Sequence, residues 1–519
     1  MKKSIQILLA ILTGLLVSIS FPVYLFGWKM PNCGWVIWIA LIPLFIAIRG
    51  GSSKRVYLLT LLSSAIWYLS SFFWVVHAMY VHGGMSLGLG ILVLILMVLL
   101  ESSIISLAPY IAVKIKRGWR GELIIWIPVA WVAMAFVRGH FPFGGFQWSS
   151  LAMSQWEYLP FIQIADLLGV YGLIFLIVWV NYFLSDLIPF KRYRRRYIVP
   201  KAIVTAFLVM LTIAYGIWRI ADIDRLTEGI EGIKVGMIQG NISQKDKWDK
   251  GSATRNLDVY RRATAKLALA PVDLIVWPEA AMPWYLKADM KRMEPYKIGI
   301  PKEMQGTLPY TFLGAVTNDA DDNYYNSAVL FNAQGDVLNI YNKYHMVPFG
   351  EHIPYKDIFS FVNSIVMPAG SFTPGKGNDP ISLGNFSFVP LICYEDIFPE
   401  ISRRSVQNGA NFLLNITNNA WFGKTSAPYQ QLALSVFRAV ENRRYLLRST
   451  NTGISAIVSP TGKILLQSGL FVKATMVVNI GIMYLMSTYT KLGDWFAWAC
   501  IAYAVLGVIM VMVLKYRRR

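Results

Sequence analysis

Three polar residues stand directly after apolar, β-rich stretches of this sequence, and together they carry the groups needed for acyl transfer. Glu279 follows the stretch at 273–277, Lys343 follows 336–341, and Cys393 follows 386–392. Because the ends of strands in α/β folds meet at one edge of a sheet, we expect the three side chains to converge. A carboxylate can take the proton of a thiol, and the thiolate can then attack a carbonyl whose oxyanion an ammonium group stabilises. The trio therefore predicts an enzyme that works through a thioester.

Each of the three residues also has an ordinary structural explanation. A cysteine in a strand is commonly a small buried hydrophobic residue. Glu279 could cap a following helix, and Lys343 could be a solvated hairpin residue. Only their combination with the surrounding sequence favours catalysis.

The region that must position these residues reads as alternating strands and helices. This pattern predicts a layered α/β domain over residues 221–490. The single cysteine of this region, Cys393, excludes a disulfide framework within it. Strands are predicted at 233–239, 273–277, 311–316, 327–331, 336–341, 386–392, 411–416, 454–458 and 463–466, and a helix at 429–448.

The rest of the chain has the composition of a membrane protein. Apolar residues make up 55% of the sequence and charged residues only 15%, and a transmembrane helix needs roughly 20 apolar residues. We predict seven transmembrane helices in a membrane domain at 1–220, and an eighth with a basic cytoplasmic tail at 491–519. The segments lie at 5–20, 33–48, 56–75, 87–113, 121–138, 160–184, 198–218 and 492–514. The first two are short enough to form a re-entrant pair instead.

The formal charge of +20 lies almost entirely beside the apolar segments. Residues 221–490 hold 26 basic and 23 acidic residues, whereas the remainder holds 23 and 6. This distribution favours anionic lipid headgroups as the partner and argues against nucleic acid. The basic loops follow the even-numbered segments, so the positive-inside rule predicts cytoplasmic termini and an extracytoplasmic insert at 221–490.

Several features outside the trio are candidates for substrate contact. Glu101 interrupts an apolar segment, which marks either a functional carboxylate or a polar contact between helices. The Gly- and aromatic-rich stretch at 138–148, which ends in Trp148, is either an interfacial loop or a floor for a lipid substrate. Apolar stretches at 358–361 and 365–368 are either a lid over acyl chains or a packed satellite cluster.

The sequence around the trio resembles the carbon–nitrogen hydrolase, or nitrilase, superfamily. The resemblance rests on VWPEAAMPW around Glu279, YNKYHMVPFGEHIPY around Lys343, LICYEDIFPE around Cys393 and NNAWFG at 418–423. It implies an αββα sandwich with a Glu-Lys-Cys triad. Together with the flanking apolar segments, the whole chain resembles the apolipoprotein N-acyltransferase family of the bacterial inner membrane.

The resemblance to that family implies a two-step acyl transfer. The sequence has no recognised metal-ligand pattern and no glycine-rich phosphate-binding motif, so we expect no metal or other cofactor. The donor would be a membrane phospholipid, and the acceptor the N-terminal diacylglyceryl-cysteine of an apolipoprotein. Cys393 would be the nucleophile, Glu279 the general base and acid, and Lys343 the oxyanion stabiliser. The implied supporting residues are Glu351, Tyr394 and Glu395, and those expected to bind substrate are Trp248, Asn418, Trp421 and Trp148. We expect a monomer with a periplasmic catalytic domain.

Two other functions fit parts of the same sequence. One is a membrane-anchored amidase or nitrilase that hydrolyses a small extracytoplasmic substrate. The other is a transporter or sensor whose insert only binds a ligand, although such a module would not need Glu279, Lys343 and Cys393 together.

Overall fold

The computed structural model describes residues 1–25, 27–119, 122–188, 195–294, 309–352, 372–377 and 379–517. Both apolar stretches that were expected to form a lid, at 358–361 and 365–368, lie outside these described residues.

The first part of the described chain is helical, apart from a small hairpin of two strands, β1 and β2. Its helices are apolar over most of their length and pack against one another through a shared buried core. The bounds are α1 Lys3–Ile19, β1 Tyr24–Leu25, β2 Trp28–Lys29, α2 Gly34–Ala47, α3 Ser53–Phe72, α4 Trp74–His82, α5 Leu87–Gly118, α6 Leu123–His140, α7 Leu159–Leu168, α8 Val170–Leu187 and α9 Arg195–Thr227.

Within the described residues, five helices are long and apolar enough to cross a membrane. They are α5, α6, α8, α9 and the helix Trp495–Arg517, and the bent pair α3–α4 would make a sixth. The apolar helices α1, α2 and α7 are shorter. Eight crossings therefore remain a prediction. The single segment expected at 160–184 is wrong, because Gly169, with φ of 62°, separates α7 from α8.

The α/β part contains two sheets whose order mixes parallel and antiparallel neighbours. A seven-stranded sheet has the order β15-β3-β4-β6-β7-β8 with β5 beside β6, and a six-stranded sheet has the order β14-β13-β12-β11-β10-β9. The bounds are β3 Gly232–Gln239, β4 Leu274–Val276, β5 Leu286–Lys287, β6 Tyr310–Asn318, β7 Tyr324–Phe331, β8 Val337–Asn342, β9 Ile381–Leu383, β10 Phe386–Ile392, β11 Phe412–Thr417, β12 Leu446–Thr450, β13 Ala456–Val458, β14 Ile464–Gln467 and β15 Ala474–Gly481.

The two sheets face each other across one apolar core, and helices cover their outer faces. Phe312 of β6 meets Phe388 of β10 edge to face, with ring centroids 5.0 Å apart. The parallel strands β4 and β11 are buried along their whole length, as is usual for strands covered on both faces. This confirms the expected αββα sandwich. The covering helices and the last elements are α10 Gln244–Lys247, α11 Ala253–Ala268, α12 Pro399–Gln407, α13 Ala427–Asn442, α14 Thr488–Leu492 and α15 Trp495–Arg517.

The helix expected at 429–448 ends earlier than its sequence pattern indicated. Helix α13 stops at Asn442, because Arg443 adopts a left-handed conformation with φ of 51°. The apolar residues that follow form β12 and pair in parallel with β11. Burial between a neighbouring strand and the core thus overrides the helical spacing of this segment.

Helix α13 joins the sandwich to the helical part, and 15 of its 16 residues are buried. At its end, Arg443 forms an ion pair with Asp166 of α7 at 2.8 Å and donates to Gln163 Oε1 at 2.6 Å. The Asp166 carboxylate also accepts hydrogen bonds from Arg219 and Tyr215 of α9. One buried carboxylate therefore connects two helices of the helical part to the sandwich.

We expect Arg443→Met to lower the free energy of unfolding by about 3–5 kcal/mol. The substitution removes one of the two arginine side chains that compensate the negative charge of the buried Asp166 carboxylate. The measurement is thermal unfolding of the full chain in detergent. Arg255→Met is the matched control, since Arg255 is largely exposed and its ion pair with Asp246 at 3.8 Å is worth at most about 1 kcal/mol. Equal melting temperatures for both variants would contradict the role of the Asp166–Arg443 pair.

Candidate active site

Two of the three expected catalytic residues lie at sharp turns that follow strand ends. Cys393 follows β10 and has φ of 53°, and Ala280, next to Glu279 beyond β4, has φ of 46°. Such conformations cost energy in residues other than glycine and often mark functional sites. Gly314 of β6 lies against the Glu279 turn so closely that a Cβ there would be 2.7 Å from Glu279 Cα. The turn therefore requires glycine at position 314.

The Glu279 carboxylate is buried and held by two donors. Asn326 Nδ2 on β7 donates to Oε1 at 2.8 Å, and the main-chain N–H of Asn418 donates to Oε2 at 2.7 Å. The donors come from different sheets, because Asn418 follows β11 of the six-stranded sheet. Glu279 is thus fixed between the two sheets of the sandwich.

Lys343 is fully buried and pairs with Glu351. Its Nζ lies 2.8 Å from Oε1 and 2.7 Å from Oε2 of that carboxylate. Burial alone would lower the pKa of Lys343, but the carboxylate of Glu351, with smaller contributions from Cys393 and Glu279, raises it above its usual value. Lys343 therefore carries a positive charge at physiological pH. Asn326 Nδ2 also donates to Glu351 Oε1 at 3.1 Å, which ties the two carboxylates together.

The Cys393 thiol lies within the electrostatic influence of Glu279, Lys343 and Glu351. Burial raises its pKa to about 12, and the negative charge of Glu279 adds to this rise, whereas Lys343 opposes it. The resting residue is therefore a neutral thiol at physiological pH. A thiolate can form only if a base removes the proton during the reaction, and Glu279 is the neighbouring carboxylate that interacts most strongly with Cys393.

Main-chain groups around the cysteine are held by side chains of the six-stranded sheet and α13. The Cys393 carbonyl accepts hydrogen bonds from Asn415 Nδ2 at 3.3 Å and Gln431 Nε2 at 3.1 Å. Beneath it, the buried pair of Asp396 and Arg448 is fully enclosed. These contacts restrict the turn that carries Cys393, the expected nucleophile.

The two residues after Cys393 have different surroundings. Glu395 is buried, and its carboxylate accepts from Tyr341 Oη and from the main-chain N–H groups of Tyr344, His345 and Ile392. It therefore fastens the segment after Lys343 to the strand before Cys393. Tyr394 is half-buried and packs on Phe398, with ring centroids 5.0 Å apart.

The site lies against the helical part of the protein. A Cβ at Gly144 would lie 2.8 Å from His345 Cε1, and the Phe143 and Phe349 rings meet at 5.4 Å. Burial raises the pKa of Tyr394, and the carboxylate of Glu101 on α5 adds to this rise. The 138–148 loop and Glu101 thus adjoin the segments that carry Lys343 and Cys393. Glu101 itself pairs with Arg138 at 3.1 Å.

The residues expected to bind substrate differ in exposure. Trp248 is 45% exposed, Trp421 is half-buried beside His82, and Trp148 is only 1% exposed. Trp148 Nε1 donates to Gln430 on α13 at 2.7 Å, so this ring lies in the contact between the helical part and the sandwich. Substrate binding by these residues and by Asn418 stays a prediction.

Two residues at the site were not identified from the sequence. Asn326 connects both carboxylates, and Lys247 on α10 donates to the main-chain oxygen of Glu279 at 2.8 Å. A polar residue near the start of an apolar strand and one lysine among several near Trp248 are too common to single out. Only the folded chain brings them to Glu279.

Two family models match the chain in separate regions. The carbon-nitrogen hydrolase model matches residues 234–488, and the model of the apolipoprotein N-acyltransferase N-terminal domain matches residues 13–183. The first match covers the sandwich, and the second covers most of the helical part.

Similar proteins with established names cover nearly the whole chain. The apolipoprotein N-acyltransferase of Geobacter metallireducens is 36% identical over 99% of this chain and 95% of its own length. The apolipoprotein N-acyltransferase of Haemophilus influenzae is 28% identical over 95% of this chain and 92% of its own length. Among solved structures, Nit3 of Saccharomyces cerevisiae, a member of branch 10 of the nitrilase superfamily, is 20% identical with a TM-score of 0.37, over 48% of this chain and 90% of that chain.

We expect the Cys393 thiolate to be absent below about pH 10 in the wild type, because burial and Glu279 raise the thiol pKa to about 12. The measurement is a pH titration of thiolate absorbance, as the difference between wild type and Cys393→Ala. Glu279→Gln removes a negative charge and should lower the pKa, so thiolate appears at lower pH in that variant. A wild-type transition near the ordinary thiol value of about 8.5 would contradict this account.

Proposed function

Because this chain belongs to the apolipoprotein N-acyltransferase family, we propose that it transfers an acyl chain from a membrane phospholipid to the α-amino group of the N-terminal diacylglyceryl-cysteine of apolipoproteins. The observation that carries the proposal is a Cys393 thiol that interacts with Glu279 and Lys343 in a domain packed on apolar helices. A phospholipid acyl chain does not leave the bilayer readily, since each CH₂ contributes about 0.8 kcal/mol of burial. An enzyme acting on it must work at the membrane.

In the first half-reaction, the Cys393 proton passes to the Glu279 carboxylate while the sulfur attacks the ester carbonyl. Negative charge moves to the carbonyl oxygen, where Lys343 stabilises it. Two of the three N–H donors of Lys343 go to Glu351, which leaves the third for this oxyanion. Glu279 then returns the proton to the departing alkoxide, so a lysophospholipid leaves and the acyl thioester stays on Cys393.

In the second half-reaction, the acceptor amine attacks the thioester carbonyl. Glu279 takes a proton from the attacking nitrogen, Lys343 again stabilises the oxyanion, and the proton returns to the Cys393 sulfur as the C–S bond breaks. The products are an N-acylated lipoprotein and the free thiol. The same three groups therefore act in both steps, and the covalent intermediate divides one difficult transfer into two easier ones.

Supporting roles for Glu351, Tyr394 and Glu395 follow from their contacts. Glu351 fixes the Lys343 ammonium with two hydrogen bonds, and Glu395 holds the segments on either side of the site. Tyr394 follows Cys393 directly, and its hydroxyl interacts electrostatically with Glu101 of α5 and with Cys393. We assign Trp248, Asn418, Trp421 and Trp148 to substrate binding, with Trp148 acting through its contact with Gln430.

We further propose that the chain is a monomer of the bacterial inner membrane with both termini in the cytoplasm. The basic loops support this orientation, which makes the catalytic domain at 221–490 periplasmic, between the membrane domain at 1–220 and the last helix and tail at 491–519. Helices α9 and α15, which flank the catalytic domain, are 11% and 22% buried in their apolar windows, as expected for helices that face lipid. Family membership favours acyl transfer over the amidase and transporter alternatives.

The test uses purified full-length protein and phospholipid labelled in its acyl chain. We expect hydroxylamine-sensitive label on the wild type and on Cys33→Ala, and none on Cys393→Ala, because Cys393 is the cysteine whose thiol interacts with Glu279 and Lys343. Glu279→Gln should slow labelling by about 10²–10⁴-fold.

The second half of the test adds a diacylglyceryl-modified peptide. A peptide with a free N-terminal amine should remove the label from the protein and carry it as an amide, whereas the N-acetylated peptide should not. Wild-type protein that acquires no label would rule out the thioester. Label released to water at equal rates with either peptide would favour a hydrolase.

A further inference from the structure

A second buried lysine, Lys247, lies at the site beside Glu279. It stands at the end of α10 and is 6% exposed. Its Nζ is 2.8 Å from the main-chain oxygen of Glu279, and its charge interacts with the Glu279 carboxylate and with Cys393. Burying an ammonium group is costly unless something compensates for the lost hydration. Here the compensation comes from the groups expected to carry out the chemistry.

The main chain at Glu279 depends on this lysine for a hydrogen bond. The turn at Glu279 leaves the sheet: Trp277 N–H donates to Phe312, and Met282 N–H donates to Gly314. Glu279 lies between Trp277 and Met282 in the sequence, and its carbonyl does not pair with β6. Among the described residues, its hydrogen-bond donor is Lys247. A buried carbonyl without a donor is rare and unfavourable. Lys247 therefore fixes the turn that aims the Glu279 carboxylate.

The balance of charge at the site also depends on Lys247. Lys343 is already engaged by both oxygens of Glu351, and Arg448 is paired with Asp396. The hydrogen bonds of Glu279 come from an amide side chain and a main-chain N–H, neither of which is charged. With Lys247 protonated, the two lysines balance Glu279 and Glu351, whereas Glu395 is compensated by the Tyr341 hydroxyl and main-chain N–H groups.

We propose that Lys247 is a positioning residue for acyl transfer, which holds Glu279 by its main-chain oxygen and supplies the positive charge that keeps one negative charge on the Cys393–Glu279 pair. This inference rests on the proposed function. When the thiol proton moves to Glu279, the negative charge moves from the carboxylate to sulfur and the total is unchanged. Lys247 interacts with both groups, so it stabilises the pair before and after the proton moves.

The proposal has a consequence for pH dependence. Burial lowers the pKa of Lys247 to about 8, although Glu279 and Cys393 oppose that change. Lys247 is therefore charged below about pH 8 and loses its charge as the pH rises through this value. We expect formation of the acyl-enzyme to slow over the same interval, although Lys343 stays charged there.

The experiment measures single-turnover acylation of the full-length enzyme by labelled phospholipid, without an amine acceptor, from pH 6 to pH 10. Omitting the acceptor removes the titration of its amine from the profile. Lys247→Arg keeps a charge at every pH in this range, so its rate should not fall above pH 8. Lys247→Met should acylate at least tenfold more slowly at pH 7. The maximal acylation rate constant should fall, the phospholipid concentration that gives half of it should change little, and the rate should show no decline near pH 8.

Lys245→Met is the matched control, because Lys245 lies on the same short helix and is exposed. It should have the rate and pH profile of the wild type. Thermal unfolding of each variant identifies any that does not fold; if Lys247→Met is one, the Lys247→Arg profile decides alone.

Two results would overturn the proposal. One is a decline near pH 8 that persists unchanged in Lys247→Arg, and the other is a folded Lys247→Met with the wild-type rate. In either case a wild type that still forms the Cys393 thioester leaves the proposed function intact. A wild type that forms no thioester would instead refute the proposed function itself.

Discussion

The arrangement of this site is constrained above all by the burial of its charges. Glu279, Lys343 and Lys247 are nearly inaccessible to water, and an unpaired charge in such a place costs several kcal/mol. Each charge must therefore be held by an opposite charge or by oriented donors. Both carboxylate oxygens of Glu351 accept hydrogen bonds from Lys343. One amide nitrogen of Asn326 donates to the carboxylates of both Glu279 and Glu351. The contacts that compensate for the burial of Glu279 and Lys343 also fix the positions of these side chains, to which we assign the chemistry.

Such a network can be assembled only where several strand ends meet. The Glu279 turn and Lys343 come from the seven-stranded sheet, whereas Cys393 and Asn418 come from the six-stranded one. The opposing sheets bring these ends together, and the positive φ at Ala280 and Cys393 turns the chain away from the strands at that edge. Helix α13 contributes Gln431, which donates to the Cys393 carbonyl, and Arg443 directly after α13 pairs with Asp166. Helix α13 thus connects the turn at Cys393 to the helical part of the protein.

The sequence pattern predicted a layered α/β domain, because the buried strands are short apolar stretches bounded by turn residues. The αββα sandwich was implied by the family resemblance, and polar residues after the strands indicated the site. Other features depend on long-range packing. Leu446–Thr450 follows a helical pattern but pairs as a strand. The edge strand β15 was not recognised, because seven of its eight residues are not buried. Asn326 and Lys247 carry no local signal. Their importance comes from a carboxylate that is distant in sequence and from a charge balance visible only in three dimensions.

The raised pKa of Cys393 also bears on how an acyltransferase can avoid unwanted reactions. A cysteine that rests as a thiolate would react with any electrophile that entered the site, whereas a thiol with a pKa of about 12 needs a bound carbonyl and Glu279 at the same moment. Once the thioester has formed, the acceptor amine must compete with water. Tyr394 packs on Phe398, and Phe143 packs on Phe349, where the site meets the helical part. The raised pKa thus protects the resting cysteine, and apolar rings around the site protect the thioester by reducing the access of water.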